Sequence, residues 1–539
     1  MSDAVVKEVD VAVIGTGFGG IYSLYKFGVE MGLSVQGFDD AGGVGGTWYW
    51  NRYPGARSDT EVTAYCYSFD KDLFRDWKWS MRYPDHWEIR DYLNTVADKY
   101  DLKKLVKFNT RVVAMEWDDD LMRWTLTTDA GEKYRAQFVV EGVGLLSATN
   151  YPEIKGQEKF QGELYHSARW PHDEVTIAGK RIGVIGTGSS GVQIVGAVAP
   201  VAKDTYVFQR RPQYIVPAAN RPIDEEHREW ILNNWEEYWR SVLWSVTAFG
   251  FPESPTPAMD VTPEERERVF EDAWKAGNGF RFMFATFGDI GVSPESNKAA
   301  TDFLESKIRE IVKNPEIADK LIPDDYWARR PLCSDGYLET FNQDNVHLID
   351  VNETPIVEIT EKGIRTTAGE IELDMIVLAT GFDGVSGQYL KIDHVGRQGR
   401  RLGEHWHDRP KTTLGLMVSG FPNMFMVYGP MGPFTNQPPA HEAQVNWMAD
   451  VVKYVRENEL EFLDPSDDTE ANWMVTCDDI AYQTLFMKVN SWINGSNVPG
   501  KPVTNYFYMG GMGAYMDIIL DIRDRGFPGF EPGKRLTPA

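Results

Sequence analysis

Val9-Asp10-Val11-Ala12-Val13-Ile14-Gly15-Thr16-Gly17-Phe18-Gly19-Gly20 decides how the rest of the chain is read. Val9 to Ile14 are β-branched and nearly all apolar, the pattern of a strand buried on both faces of a parallel sheet. A GxGxxG turn follows at once. A helical stretch then runs from Ile21 to Met31, and a second strand, Ser34 to Phe38, ends in Asp39-Asp40. In such a unit Gly15 permits the tight turn, Gly17 lets the backbone approach a pyrophosphate, and Gly20 lets the helix lie close on the strand. Unpaired N–H groups at the helix start face the phosphates. Asp39 stands 19 residues past Gly20, placed to accept hydrogen bonds from ribose hydroxyls. This unit is expected to hold a dinucleotide that carries no 2′-phosphate.

The same pattern returns downstream with the opposite charge at its end. Lys180 to Ile185 is a strand, Gly186-Thr187-Gly188-Ser189-Ser190-Gly191 is the turn, and a helix runs to about Ala199. The next strand, Thr205 to Phe208, ends in Gln209-Arg210-Arg211-Pro212. A 2′-phosphate would be repelled by a carboxylate and held by guanidinium groups. The second unit is therefore expected to bind NADPH.

A chain of 539 residues is too long for one core. Its net charge of −25 argues against nucleic acid and anionic membranes as partners, so paired arginines stand out against the trend. No run of 18 apolar residues offers a membrane span, and no basic-then-apolar leader opens the chain. Cys66, Cys333 and Cys477 form no CxxC pattern. Neither a disulfide framework nor a metal site is expected, and the usage fits a reducing cytoplasm. Cys66 and Cys333 are read as buried spectators. Asp224 to Asn314 is polar, Trp-rich and helical in spacing. Strand signals return at Val346 to Val351, Gly363 to Thr367 and Leu373 to Gly381. The acidic runs Asp118 to Asp120 and Asp464 to Thr469 are expected to be solvated loops, since EF-hand spacing is absent. The fold class is α/β: two Rossmann-like dinucleotide-binding domains, the second with a helical insertion. The expected division is 1–147 and 381–539 for the first domain, 148–220 and 326–380 for the second, and 221–325 for the insertion. The expected working unit is a monomer, and an oligomer stays open.

Two further stretches narrow the class. One is Gly45-Gly46-Thr47-Trp48-Tyr49-Trp50-Asn51-Arg52-Tyr53-Pro54-Gly55-Ala56-Arg57-Ser58-Asp59. The other places Phe160, Gly162, His166, Trp170 and Pro171 at the spacing FxGxxxHxxxWP, between the two glycine turns. Together with the turns they resemble the type I Baeyer–Villiger monooxygenases, and Gly429 to Pro439 looks like the cyclohexanone monooxygenase branch. The resemblance implies FAD in the first unit, NADPH in the second, and conversion of ketones to esters or lactones with O2 through a C4a-peroxyflavin and a tetrahedral adduct. The related flavin monooxygenases that oxidise amines or sulfides are the alternative.

By the same resemblance, Gly15, Gly17, Phe18, Gly20, Asp39, Thr47, Trp48, Asp59, Tyr65 and Val112 would line FAD. Gly186, Thr187, Gly188, Ser189, Ser190, Gln193, Arg210, Arg211, Arg329 and Trp492 would hold NADPH. Arg330 matches the family's catalytic arginine, with Asp59 to orient it. Leu145, Leu146, Phe249, Phe280, Phe434, Thr435, Gln437 and Phe507 are the implied pocket for a small ketone. The chain departs from the family at Asp39, where Glu is common, at Arg211 and Arg329, where Thr and Lys are common, and at Gln437, where Leu is frequent. His166 reads as a hydrogen-bonded loop histidine and Trp170 as packing.

Overall fold

The computed structural model describes residues 6–534. Residues 1–5 and 535–539, the outer ends of the segments expected to form the first domain, lie outside the described residues. The first sheet has eight strands. Lys7–Ile14 lies at its centre, parallel to Val35–Phe38 on one side and to Lys133–Glu141 on the other. The buried end of Lys7–Ile14, Val11 to Ile14, is the run whose apolar character marked it as a central strand. Val106–Lys107 adds beyond Val35–Phe38, the antiparallel pair Val112–Asp118 and Arg123–Thr128 extends the other side, and two strands from late in the chain, Asp393–Val395 and Met424–Met426, complete it.

The second sheet is all parallel, in the order Val346–Asp350, Asp204–Gln209, Arg181–Ile185, Met375–Leu378, Glu163–His166. Between its strands Asp204–Gln209 and Val346–Asp350 the chain makes the insertion, from Glu225–Asn233 through Pro315–Leu321, built of helices. Its helices have sequence-coded starts: Asp224, Thr262, Ser293 and Asn314 each accept a first-turn backbone N–H, with proline in the first turn of the last three.

The chain crosses between the two sheets twice, and the crossings lie side by side. Asn150 N donates to Gly381 O at 3.0 Å, Thr380 Oγ1 donates to Asn150 O at 2.7 Å, and Thr149 bridges Phe382. His166 ends its strand next to this junction. Its Nδ1 accepts from Ala168 N at 3.1 Å, its Nε2 lies 3.4 Å from Thr380 Oγ1, and it is buried. Trp170 packs on Tyr165.

Two local expectations need correcting. The first helix starts at Phe18, not Ile21, and from Leu24 to Glu30 it widens to a π-helix. Propensity discounts Phe-Gly-Gly as a helix start, but packing overrides it: a Cβ on Gly20 would fall 1.8 Å from Gly15 O, and one on Gly191 2.1 Å from Gly186 O. Both helices thus sit on their own turns at a distance only glycine allows. Asp464 to Thr469 is not a solvated loop. Asp464 lies in the strand Phe462–Pro465 and is buried, where it accepts from Gly420 N and pairs with Arg397. Ser466 caps the helix Asp467–Ala481, whose acidic first turn complements the helix dipole. The run reads as acidic because a cap and a buried ion pair share it.

The helix Gln437–Glu457 runs buried along the first helix. In it Glu442 accepts from Ser68 N at 2.6 Å and Ser68 Oγ at 2.8 Å. Burial pushes its carboxyl up to about 7. The unfolded carboxyl ionises near 4.5, so between pH 4.5 and 7 the folded chain retains a proton that the unfolded chain has lost. Stability should therefore fall across that window, by up to about 3 kcal/mol. Glu442→Gln should lack this fall, so its melting temperature should gain on the parent's as pH rises. Equal pH slopes in thermal unfolding would refute the assignment.

Candidate active site

One cavity of about 1150 Å³ joins the two glycine turns, somewhat larger than the roughly 300–1,000 Å³ of an ordinary small-molecule pocket. On one side it is lined by Gly15 to Gly19, Asp39, Thr47, Trp48, Asp59, Tyr65 and Val112. On the other it is lined by Gly186 to Ser190, Gln193, Arg210, Arg211, Arg329 and Trp492. Both turns lead into helices capped by glycine, with no side chain bonded to the first-turn N–H groups. Those donors are left for an anion, as a pyrophosphate requires. Gly20, expected at the cofactor, is not on the cavity wall; it is the residue that closes the helix onto Gly15.

The ends of the two units differ in charge as the sequence implied. Asp39 Oδ2 accepts from Thr16 N at 2.7 Å and Thr16 Oγ1 at 2.6 Å, and Oδ1 from Ala41 N at 2.9 Å. Burial raises its carboxyl above the usual range despite these bonds. At the other end, burial and then the neighbouring Arg210 and Arg329 depress the Arg211 guanidinium. Asn490 O accepts from Arg329 Nε at 3.0 Å and from Arg211 Nη1 at 3.5 Å. Asp325 pairs with Arg329, its Oδ1 2.8 Å from Nη1. Three guanidiniums crowded together in so acidic a chain fit a group bearing two negative charges.

Between the two turns lies the pair Arg330–Asp59. Nη2 donates to Oδ1 at 2.6 Å and Nη1 to Oδ2, and Nη1 also reaches Ser189 Oγ at 3.3 Å. Burial alone would lower the guanidinium, but Asp59 more than offsets it and the net direction is up. The cation stands 5.0 Å from the Phe280 ring centroid, and Phe280 stacks on Phe249 at 4.2 Å. Leu145, Leu146, Phe434, Thr435 and Gln437 also line this cavity. Phe507 does not line it. It is buried behind Phe434 and Trp492, at 5.1 and 5.9 Å between ring centroids, so it supports the wall without touching the cavity.

Residues that sequence reasoning passed over also converge here. Thr16, inside the first turn, positions Asp39. Tyr53 Oη donates to Gln193 Oε1 at 2.9 Å, tying the Gly45 to Asp59 stretch to the second helix. Thr247, Phe284 and His441 line the cavity. The first two lie in the insertion, where neither motif nor period flags them. Cys66 and Cys333 are buried free thiols, Cys333 pushed up to about 12 by burial. Among the described residues no helix is long and apolar enough to cross a membrane, and no cluster of His, Cys, Asp or Glu is arranged to hold a metal ion.

Two Rossmann-like units around one cavity, an acid at one end and arginines at the other, define a flavoprotein that also takes a nicotinamide dinucleotide. Residues 8–225 match the family described as flavin-binding monooxygenase-like. The chain is 49% identical over 525 residues to cyclohexanone 1,2-monooxygenase of Acinetobacter sp., covering 97% of this chain and 96% of that one. It is 46% identical over 522 residues to a phenazine N-monooxygenase of Lysobacter antibioticus, covering 97% and 96%. The crystal structure of cyclohexanone monooxygenase from Rhodococcus sp. Phi1 bound to NADP+ superposes with a TM-score of 0.97 at 48% identity, covering 98% of this chain and all of the other. The chain belongs to the type I Baeyer–Villiger monooxygenases, FAD- and NADPH-dependent enzymes, on the cyclohexanone monooxygenase branch.

One charge-assisted hydrogen bond contributes roughly 1.5–3 kcal/mol. Arg210→Ala or Arg211→Ala should therefore raise the dissociation constant for NADPH roughly tenfold to a hundredfold and leave that for NADH near the parent's. Equal losses for both nucleotides, in binding titrations, would remove the 2′-phosphate role.

Proposed function

We propose that this enzyme oxygenates small cyclic ketones to lactones, with Arg330 as the residue that carries the chemistry and Asp59 as its orienting partner. The observation behind this is a paired guanidinium at the meeting point of both glycine turns, flanked by the Phe249–Phe280 stack. Gly15 to Gly19, Asp39, Thr47, Trp48, Tyr65 and Val112 would hold FAD, which when bound and reduced would supply oxygen in activated form. What the chain's residues do then follows from their chemistry. An attack on a ketone carbon leaves negative charge on the former carbonyl oxygen. Arg330 is the cation that can meet this charge, and it keeps its proton at any working pH. Asp59 fixes the plane of the guanidinium through two hydrogen bonds and balances it, since an unpaired buried cation would be costly. The leucine and phenylalanine walls exclude water and offer a ring of methylenes an apolar seat. Thr435 and Gln437 supply the polar points of that seat.

In this reading the segments 1–147 and 381–539 bind FAD, 148–220 and 326–380 bind NADPH, and 221–325 supplies Phe249 and Phe280 to the pocket. On the same reading the enzyme works in the cytoplasm on a small ketone and O2, as a monomer or an oligomer, without nucleic acid or membrane. Three buried free cysteines and the net charge of −25 support that setting. A second reading is oxygenation at nitrogen or sulfur by the same site, favoured by the 46% identity to a phenazine N-monooxygenase.

Product analysis with cyclohexanone decides between them: lactone supports ketone oxygenation, whereas NADPH and O2 consumption without lactone counts against it. Arg330→Ala should still be reduced by NADPH in stopped-flow experiments, while lactone formation should drop on the order of a hundredfold or more. Lactone near the parent level in that variant would remove Arg330 from the reaction.

A further inference from the structure

His441 lies one turn into the Gln437–Glu457 helix and has no hydrogen-bond partner among the described residues. Its Nδ1 is sealed off from solvent without an acceptor or donor in reach. The ring nevertheless lines the cavity, so Nε2 is the nitrogen with access to it. The ring stands edge to face on Tyr428, 5.6 Å between centroids at 89°. It also abuts the first glycine turn: a Cβ on Gly19 would come within 3.6 Å of its Cγ. His441 therefore stands beside the Gly15 to Gly20 turn.

Burial alone holds the imidazole neutral, with its pKa pushed down to about 3. A neutral ring carries one N–H. A buried N–H with nothing to donate to is the costlier defect, and an unpaired lone pair the lesser one. The proton belongs on Nε2, directed at the cavity, with the tautomer assigned from this balance. An imidazole in that place, part buried on the cavity wall and with no protein acceptor for its one N–H, offers that donor to whatever fills the cavity.

We propose that His441 donates a hydrogen bond from Nε2 to an acceptor atom of bound FAD. This rests on the reading that the Gly15 to Gly20 end of the cavity holds FAD. The bond exists only in the holoenzyme, so it adds to cofactor retention and not to the stability of the empty protein.

The test compares parent, His441→Leu and His441→Gln holoenzymes by two readouts. One is FAD release on dilution, followed by recovery of free-flavin fluorescence. The other is the visible absorbance of the bound flavin. Loss of one neutral hydrogen bond should weaken FAD retention about two- to tenfold in the leucine variant. Glutamine, which keeps an N–H donor, should restore most of it, and NADP+ affinity should stay at the parent value in both. A shift of the visible bands in the leucine variant would place the acceptor on the isoalloxazine; affinity loss with unmoved bands would place it on the ribityl chain or pyrophosphate. Leucine holding FAD as tightly as the parent with the same spectrum would overturn the proposal. So would glutamine performing as poorly as leucine, which marks a packing role. A parent protein that takes up no FAD would instead overturn the reading of the cavity on which the proposal stands, and the parent control separates that case from the others.

Discussion

A guanidinium cannot be buried alone, and much of this molecule is arranged around that constraint. Arg330 and Asp59 are 271 residues apart, yet each is placed by a different part of the chain. Asp59 closes the stretch that begins at the loop beside the first glycine turn. Arg330 precedes the short strand Leu332–Cys333, which pairs with Ile215–Val216. Phe280, whose ring faces the cation, comes from the helical insertion. The segments that carry Asp59 and Arg330 must both be in place before the charge is neutralised, so the pair reports on their docking. It also fixes a guanidinium between the two turns before any ligand arrives, the kind of preset charge on which the proposed role of Arg330 rests.

The ends of the cavity show the same economy of charge. One carboxylate, Asp39, is held by the backbone and hydroxyl of Thr16, and no cation is spent on it. Three arginines are gathered at the other end in a chain that carries a net charge of −25. Their mutual repulsion is tolerable because Asp325 and the carbonyl of Asn490 share them. In the proposed assignment, the arginine end suits the dinucleotide that carries a 2′-phosphate and the Asp39 end suits the one that does not.

The strands that flank the two glycine turns, and the turns themselves, were legible in the sequence because their residues answer to local rules, whereas Lys133–Glu141 and Glu163–His166 were not read as strands. Strands at the centre of a parallel sheet are continuous apolar runs, and a turn that must lie under a helix needs glycine at fixed spacing. What was not legible depended on distant partners. Phe507 looks like any pocket phenylalanine until Phe434 and Trp492 are seen in front of it. Gly20 carries the fingerprint of a cofactor contact, yet its space is taken by Gly15 O. Asp464 to Thr469 mimics a solvated acidic loop, because the arginine that buries Asp464 is 67 residues away. His441 sits in a proline-rich helix start with no motif of its own, and only the cavity shows that its ring has nowhere else to turn. The winding change at Leu24 has no sequence signature that we can identify.

The paired crossings at Thr149 to Asn150 and Thr380 to Phe382 have a consequence for how such a chain can be rebuilt. Everything between them, over two hundred residues including the second sheet and the insertion, leaves and re-enters the first sheet at points joined by hydrogen bonds. To the first sheet that whole stretch is equivalent to a loop whose ends are already closed. It is a cassette: its contents can lengthen, shorten or be exchanged for another nucleotide unit without rerouting the strands that flank it, provided the two ends still arrive as neighbours.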